Sequence, residues 1–81
     1  MPDIKLYTTP HCPYCTAAKR LLNAGGFSFE ETDVAADPEL RAKLSAENNG
    51  YRTVPMIFID GKFIGGFTEL ASLQQSGGLT K

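Results

Sequence analysis

The two cysteines of this chain stand at positions 12 and 15, with Pro13 and Tyr14 between them. The chain has 81 residues, so one domain spanning 1–81 is expected. A domain of this size buries a limited share of its surface, and many such chains are stapled by disulfides. Two cysteines make at most one bridge. Across so short a spacing, that bridge closes a very small loop, which restricts the unfolded chain least. The pair therefore reads as reactive or metal-binding rather than as a staple.

The pattern of apolar residues places the pair. Residues 3–8 read as a strand, with Ile4 and Leu6 alternating against Lys5 and Tyr7. Thr8 to His11 form a loop, and a helix starts near Pro13, where the missing N–H of proline would have no partner in any case. Ala18, Leu21 and Leu22 share one face of that helix, and Gly25-Gly26 end it. Residues 27–33 read as a second strand led by Phe27 and Phe29. Asp37 caps a second helix that begins with Pro38, carries Leu40 and Leu44, and ends at Asn48-Asn49-Gly50. Met56-Ile57-Phe58-Ile59 is wholly apolar, as a buried central strand would be. Asp60-Gly61 is a two-residue hairpin turn, from which Lys62 to Ile64 return as a fourth strand. Gly65-Gly66 break that strand, and a last helix begins around Thr68 with Leu70 and Leu73 on one side. The order β-α-β-α-β-β-α predicts an α/β fold, a mixed four-stranded sheet flanked by helices, with a right-handed crossover.

Cys12 thus falls at a helix N-terminus and Cys15 one turn further in. The nucleophile of disulfide exchange is a thiolate, and a helix N-terminus stabilises an anion through unpaired N–H groups and the helix dipole. Cys12 is expected to be that nucleophile. Cys15, more buried, is within reach as a resolving thiol. A structural zinc site needs about four ligands. This chain has two cysteines and one histidine, His11, which directly precedes Cys12. Adjacent residues seldom point at one metal, so no metal is expected. His11 reads as a solvated loop residue, and Lys19, one turn beyond Cys15, as a residue facing solvent.

Two further segments stand out. Pro55 precedes the apolar strand, as a residue without a ladder donor should. A cis Val54–Pro55 bond would expose the Val54 backbone to an extended peptide, whereas most such bonds are trans. Gly65-Gly66 followed by Phe67-Thr68-Glu69 is a second helix start after a glycine break, an arrangement that binds carboxylates through backbone N–H groups. Thr68 is a candidate N-cap or ligand hydroxyl. Glu69 is a candidate partner for the dipole or for a ligand ammonium. A capped hairpin exit with no ligand explains the same residues equally well.

Charge excludes some partners. With 8 basic and 9 acidic residues the net charge is −1, which offers no footprint for nucleic acid or an anionic membrane. There is no apolar run long enough for a membrane helix, and Met1-Pro2-Asp3-Ile4-Lys5 lacks a signal-peptide layout. The expected location is the cytosol, where thiols are kept reduced.

Cys12-Pro13-Tyr14-Cys15, Thr53-Val54-Pro55 and Gly65-Gly66, in this order and spacing, resemble a dithiol glutaredoxin over about Ile4 to Leu79. The resemblance implies a thioredoxin fold and a glutathione-dependent thiol–disulfide oxidoreductase. In it Cys12 is the nucleophile and Cys15 the resolving thiol. Glutathione is the co-substrate, and no cofactor is tightly bound. Val54 then pairs its backbone with the cysteinyl unit of glutathione, Pro55 is the family's cis-proline, and Thr53 flanks that contact. Gly66, Phe67 and Thr68 stand where the γ-glutamyl carboxylate is held. Arg41 resembles a helix position facing the glycine carboxylate, and Tyr14 the aromatic beside the nucleophile. The implied partners are glutathione and glutathionylated or disulfide-containing proteins, ribonucleotide reductase among the family's targets. The chain is expected to act as a monomer.

Two departures from the family pattern matter. Thr9 stands where many members have lysine, three residues before the nucleophile. Gly65-Gly66-Phe67-Thr68-Glu69 replaces G-G-C-D-D, which shifts recognition of the glutathione ammonium towards Glu69. These departures lean towards a rival reading, a glutaredoxin-like electron donor served by a thioredoxin-type reductase. A second rival, an iron–sulfur cluster carrier, resembles relatives with a serine at the second position, where this chain has Cys15.

Overall fold

The computed structural model describes residues 2–79. Its elements are β1 (Ile4–Thr8), α1 (Pro13–Ala24), β2 (Glu30–Asp33), α2 (Pro38–Glu47), β3 (Met56–Ile59), β4 (Lys62–Gly65) and α3 (Phe67–Gln75). The sheet order is β2-β1-β3-β4, with β1 and β2 parallel and the other neighbours antiparallel. This is the expected mixed sheet, with β1 and β3 in the middle.

Strand alternation divides the core into two layers. Ile4 and Leu6 of β1 and Ile57 of β3 pack against Ala18 and Leu22 of α1 and Leu70 of α3. Met56 packs on the other face with Val34 and with Leu44 of α2, bordered by Tyr7 and Phe58. Helices α1 and α3 thus cover one face and α2 the other. Leu6, Leu22, Ile57 and Leu70 are fully buried, so truncating any of them to alanine costs about 2–5 kcal/mol.

The second strand is shorter than the expected 27–33. Gly26 has φ 75°, its N–H bonds to the Asn23 carbonyl, and the Phe27 N–H bonds back to the Leu22 carbonyl at 2.9 Å. These bonds close α1 with a paired C-terminal motif whose apolar partner is Phe27 itself. Phe27 joins the core and Phe29 packs against it, and the ladder with β1 starts at Glu30. The other boundaries move by one residue: β4 runs through Gly65, and α3 starts at Phe67 with Gly66, not Thr68, as N-cap. At the hairpin, Asp60 and Gly61 have φ 52° and 82°, the positive pair that a tight two-residue turn demands.

Candidate active site

The edge of the sheet where β1 ends and β3 begins gathers three chain segments: the α1 start, residues 53–55 and the α3 start. Cys12 is the N-cap of α1, in extended backbone, and its Sγ accepts the Cys15 N–H at 3.3 Å. Pro13 follows at the first helical position. A cysteine thus occupies the place that serine or aspartate usually fills, and the sulfur meets one of the unpartnered donors of the helix end. Cys12 Sγ also lies 3.7 Å from the Val54 carbonyl oxygen, to which its thiol donates. The Val54–Pro55 bond is cis.

The two sulfurs differ sharply. Cys12 is half-buried, whereas Cys15 is 2% exposed. Burial, and then the hydrogen bond to Cys12, push the Cys15 thiol up to about 12. The backbone at Thr9 and the charge of Lys19 act in the opposite direction. Cys15 is therefore a thiol at neutral pH. His11 is exposed, as expected of a loop histidine, with its backbone in the left-handed region at φ 62°.

Beside Cys12 runs a cleft of about 190 Å³. One wall is Thr53, Val54 and Pro55, and the other is Gly66, Phe67, Thr68 and Glu69. Tyr14 and Tyr51 close the remaining sides. Tyr14 is 63% exposed and its ring lies 6.2 Å from that of Phe67. The structure thus gathers Tyr14, Thr53, Val54, Pro55, Gly66, Phe67, Thr68 and Glu69 around one space. Arg41 stands apart. It lines an adjoining groove with Arg52, to whose carbonyl it donates at 3.2 Å. Tyr51, which sequence reasoning did not single out, lines both spaces and packs edge-on against Phe63 at 4.9 Å. No local pattern marks Tyr51, because its partner lies across the sheet.

The glycine pair has a steric reason. A Cβ on Gly66 would lie 2.7 Å from the Tyr51 hydroxyl and 3.4 Å from the Pro55 carbonyl oxygen. Gly65 has φ 118°, and a Cβ there would meet the Glu69 side chain at 2.5 Å. Glu69 turns inward: its Oε1 accepts the Gly66 N–H at 2.8 Å. The Gly66 N–H is thus already engaged. The N–H groups of Phe67 and Thr68, in the first turn, have no carbonyl to bond within the helix. Thr68 and Glu69 remain exposed.

Lys19 does not project freely into solvent. Its Nζ lies 3.0 Å from Oε2 of Glu31 on β2, and the buried Thr8 hydroxyl donates to the same oxygen at 2.7 Å. The Thr8 bond first, then the Lys19 bond, holds the Glu31 carboxyl below its ordinary value. Among the described residues, no group of three histidine, cysteine or acidic side chains could hold a metal ion. No helix of the described residues is long and apolar enough to cross a membrane.

Comparison with known proteins agrees with this geometry. The Glutaredoxin family model matches residues 4–64. A glutaredoxin of Neisseria meningitidis serogroup A is 50% identical over 80 residues, covering 98% of this chain and 93% of the relative. Glutaredoxin 3 of Escherichia coli K12 is 40% identical over 79 residues, covering 98% of this chain and 94% of the relative. Among solved structures, a buckwheat glutaredoxin–glutathione complex superposes with a TM-score of 0.87 at 26% identity, covering 94% of this chain and 71% of that one.

Proposed function

The chain belongs to the glutaredoxin family and is a thiol–disulfide oxidoreductase, and on that premise we propose that it uses glutathione to reduce glutathionylated and disulfide substrates. One observation carries the reading: the Cys12 sulfur caps α1 and meets the carbonyl of Val54, which lines a cleft that the start of a second helix also lines. A nucleophilic sulfur and an anion-binding helix end thus flank one space. The buckwheat glutaredoxin with a similar fold is described as a glutathione complex, which supports the same ligand here.

In this reading the peptide lies along residues 53–55, with the Val54 backbone pairing with its cysteinyl unit. The γ-glutamyl carboxylate takes the N–H groups of Phe67 and Thr68, since Glu69 already holds that of Gly66. The exposed Glu69 carboxylate lies beside the ligand ammonium. Arg41, in the adjoining groove, faces the glycine carboxylate with the guanidinium donors that its bond to the Arg52 carbonyl leaves free.

The chemistry is two successive exchanges. The Cys12 thiolate attacks the glutathionyl sulfur of a mixed disulfide, and the substrate leaves as a thiolate that takes up a proton. A second glutathione thiolate then attacks that same glutathionyl sulfur. The Cys12–sulfur bond breaks, oxidised glutathione forms and the Cys12 thiolate returns. For a protein disulfide, Cys15 attacks Cys12 within the mixed disulfide instead, and the Cys12–Cys15 bond forms as the second substrate sulfur leaves. A dithiol that must be re-reduced after each turnover suits the reducing cytosol, the location we assign.

The test is turnover of a small glutathione mixed disulfide, coupled through glutathione reductase to NADPH loss. The wild type is expected to be active, Cys12→Ser inactive and Cys15→Ser active. A wild type served by a thioredoxin-type reductase but not by glutathione would overturn the glutathione reading and leave the oxidoreductase intact.

A further inference from the structure

Cys15 must become a thiolate to resolve a protein mixed disulfide, yet it is buried and protonated at neutral pH. The glutathione cleft offers it nothing, since Cys15 is not among the cleft's lining residues. Cys15 instead opens on a second cavity of about 340 Å³, which shares no lining residue with the first. That cavity is polar. Lys19, Glu31, Thr8, Asp33 and His11 line it together with Cys15.

The placement of Lys19 there follows from two elements. It stands four positions after Cys15, so both side chains lie on one face of α1. Glu31 on β2 then fixes the ammonium at 3.0 Å, and the buried Thr8 hydroxyl on β1 fixes Glu31 at 2.7 Å. A lysine on an otherwise mobile stem is thereby held at the cavity. The other charged or titratable groups around Cys15 are Cys12 from the helix start, His11 from the loop and Asp33 from β2. Asp33 is occupied by its own turn, accepting the Ala35 N–H at 2.8 Å. Lys19 is the lysine that lines this cavity with Cys15, and its charge, the smallest of the influences on that thiol in the resting site, favours the thiolate.

We propose that Lys19, held by Glu31 and Thr8, is a positioning residue for the resolving step, its ammonium supporting the Cys15 thiolate that closes the Cys12–Cys15 disulfide. The inference rests on the dithiol reading above. In this step the Cys15 thiol gives its proton to solvent entering the polar cavity. Its sulfur attacks Cys12 Sγ, the bond from Cys12 to the substrate sulfur breaks, and the substrate thiolate leaves and takes up a proton. Cys12 and Cys15 are oxidised as the two substrate sulfurs are reduced.

The experiment compares wild type, Lys19→Met and Lys19→Arg. Two rates are measured for each: reduction of a peptide disulfide, which needs Cys15, and of a small glutathione mixed disulfide, which does not. Lys19→Met is expected to lower the ratio of the first rate to the second about tenfold, the effect of moving Cys15 by one pH unit. Lys19→Arg keeps the charge and should restore most of that ratio. In a Cys12→Ser background, the ultraviolet thiolate absorbance of Cys15 should rise at higher pH with Lys19→Met than with Lys19. A lysine that merely braces α1 to β2 would not move that titration. Either an unchanged ratio or an unmoved titration overturns the proposal. The titration needs no turnover, so it decides the role of Lys19 even if the glutathione reading fails.

Discussion

Two helices begin at the active-site cleft, and they treat their N-termini differently. At α1 the capping atom is a sulfur: Cys12 Sγ takes the Cys15 N–H at 3.3 Å. At α3 the capping atom is a carboxylate oxygen from within the helix: Glu69 Oε1 takes the Gly66 N–H at 2.8 Å. In both cases a side-chain acceptor meets a backbone donor at a helix start. At α1, however, the cap is the reactive atom itself, so capping and chemistry share one side chain. At α3 the cap comes from a residue in the first turn that also lines the cleft, and the N–H groups of Phe67 and Thr68 have no carbonyl to bond within the helix. In the proposed reading, one helix end holds the nucleophile and the other the ligand that it attacks.

The contrast breaks most cleanly at Cys12. Serine is a good N-cap, so Cys12→Ser should hold stability within ~0.5 kcal/mol by urea unfolding. The same variant should lose all turnover, because a hydroxyl at neutral pH is no substitute for a thiolate. A large loss of stability would mean that the sulfur does more for the fold than cap one helix. The mirror experiment is at α3. Glu69→Ala removes the cap and should cost ~1 kcal/mol of stability while the Cys12 chemistry persists. Because Glu69 also stands at the proposed ammonium site, KM for glutathione substrates should rise with kcat little changed; a loss confined to kcat with stability unchanged would make the division between the two helix ends wrong.

The contrast between the two sulfurs gives a pH prediction of similar size. Burial raises the folded Cys15 thiol from 9.0 to about 12. Below the lower value both folded and unfolded chains keep the proton, and stability is unaffected. Between about 9 and about 12 the unfolded chain releases the proton while the folded chain retains it, so stability falls as pH rises. The slope contributed by one such group is at most ~1.4 kcal/mol per pH unit. Cys15→Ser should lack this alkaline loss, as read by urea midpoints of the reduced proteins across that range.

Much of this was legible in the residues. Alternation in β1 and the apolar run of β3 placed the central strands, and Asp37-Pro38 placed the α2 start, because these signals act within a few residues. The cysteine pair was legible for the same reason: Pro13 and the helix periodicity put Cys12 at the cap and Cys15 one turn in. What the residues did not disclose depends on contacts across the fold. Lys19 was expected in solvent, but β2 brings Glu31 within 3.0 Å of it. The bond from Arg41 to the Arg52 carbonyl depends likewise on the chain before Thr53 returning to α2. Phe27 looked like the start of a strand, yet its N–H completes the end of α1. Tyr51 gained its place from Phe63, on the far side of the hairpin from any local signal.

The smallest effect tests how far the Lys19 pair belongs to the site rather than to the fold. Glu31 is held below its ordinary carboxyl value by the Thr8 hydroxyl first and Lys19 second. A depressed carboxyl contributes stability above its unfolded value and loses it as pH falls through the folded one. Both partners of the ion pair are about one-third exposed, at 35% and 36%, so water and salt screen it. Glu31→Gln should therefore cost no more than ~0.5 kcal/mol at neutral pH and nothing once Glu31 is protonated in acid. Urea midpoints at neutral and acidic pH check this. A loss of several kcal/mol would make the pair a structural tie between α1 and β2. A loss as small as expected leaves the arrangement without a strong structural purpose and turns attention to the sulfur beside it.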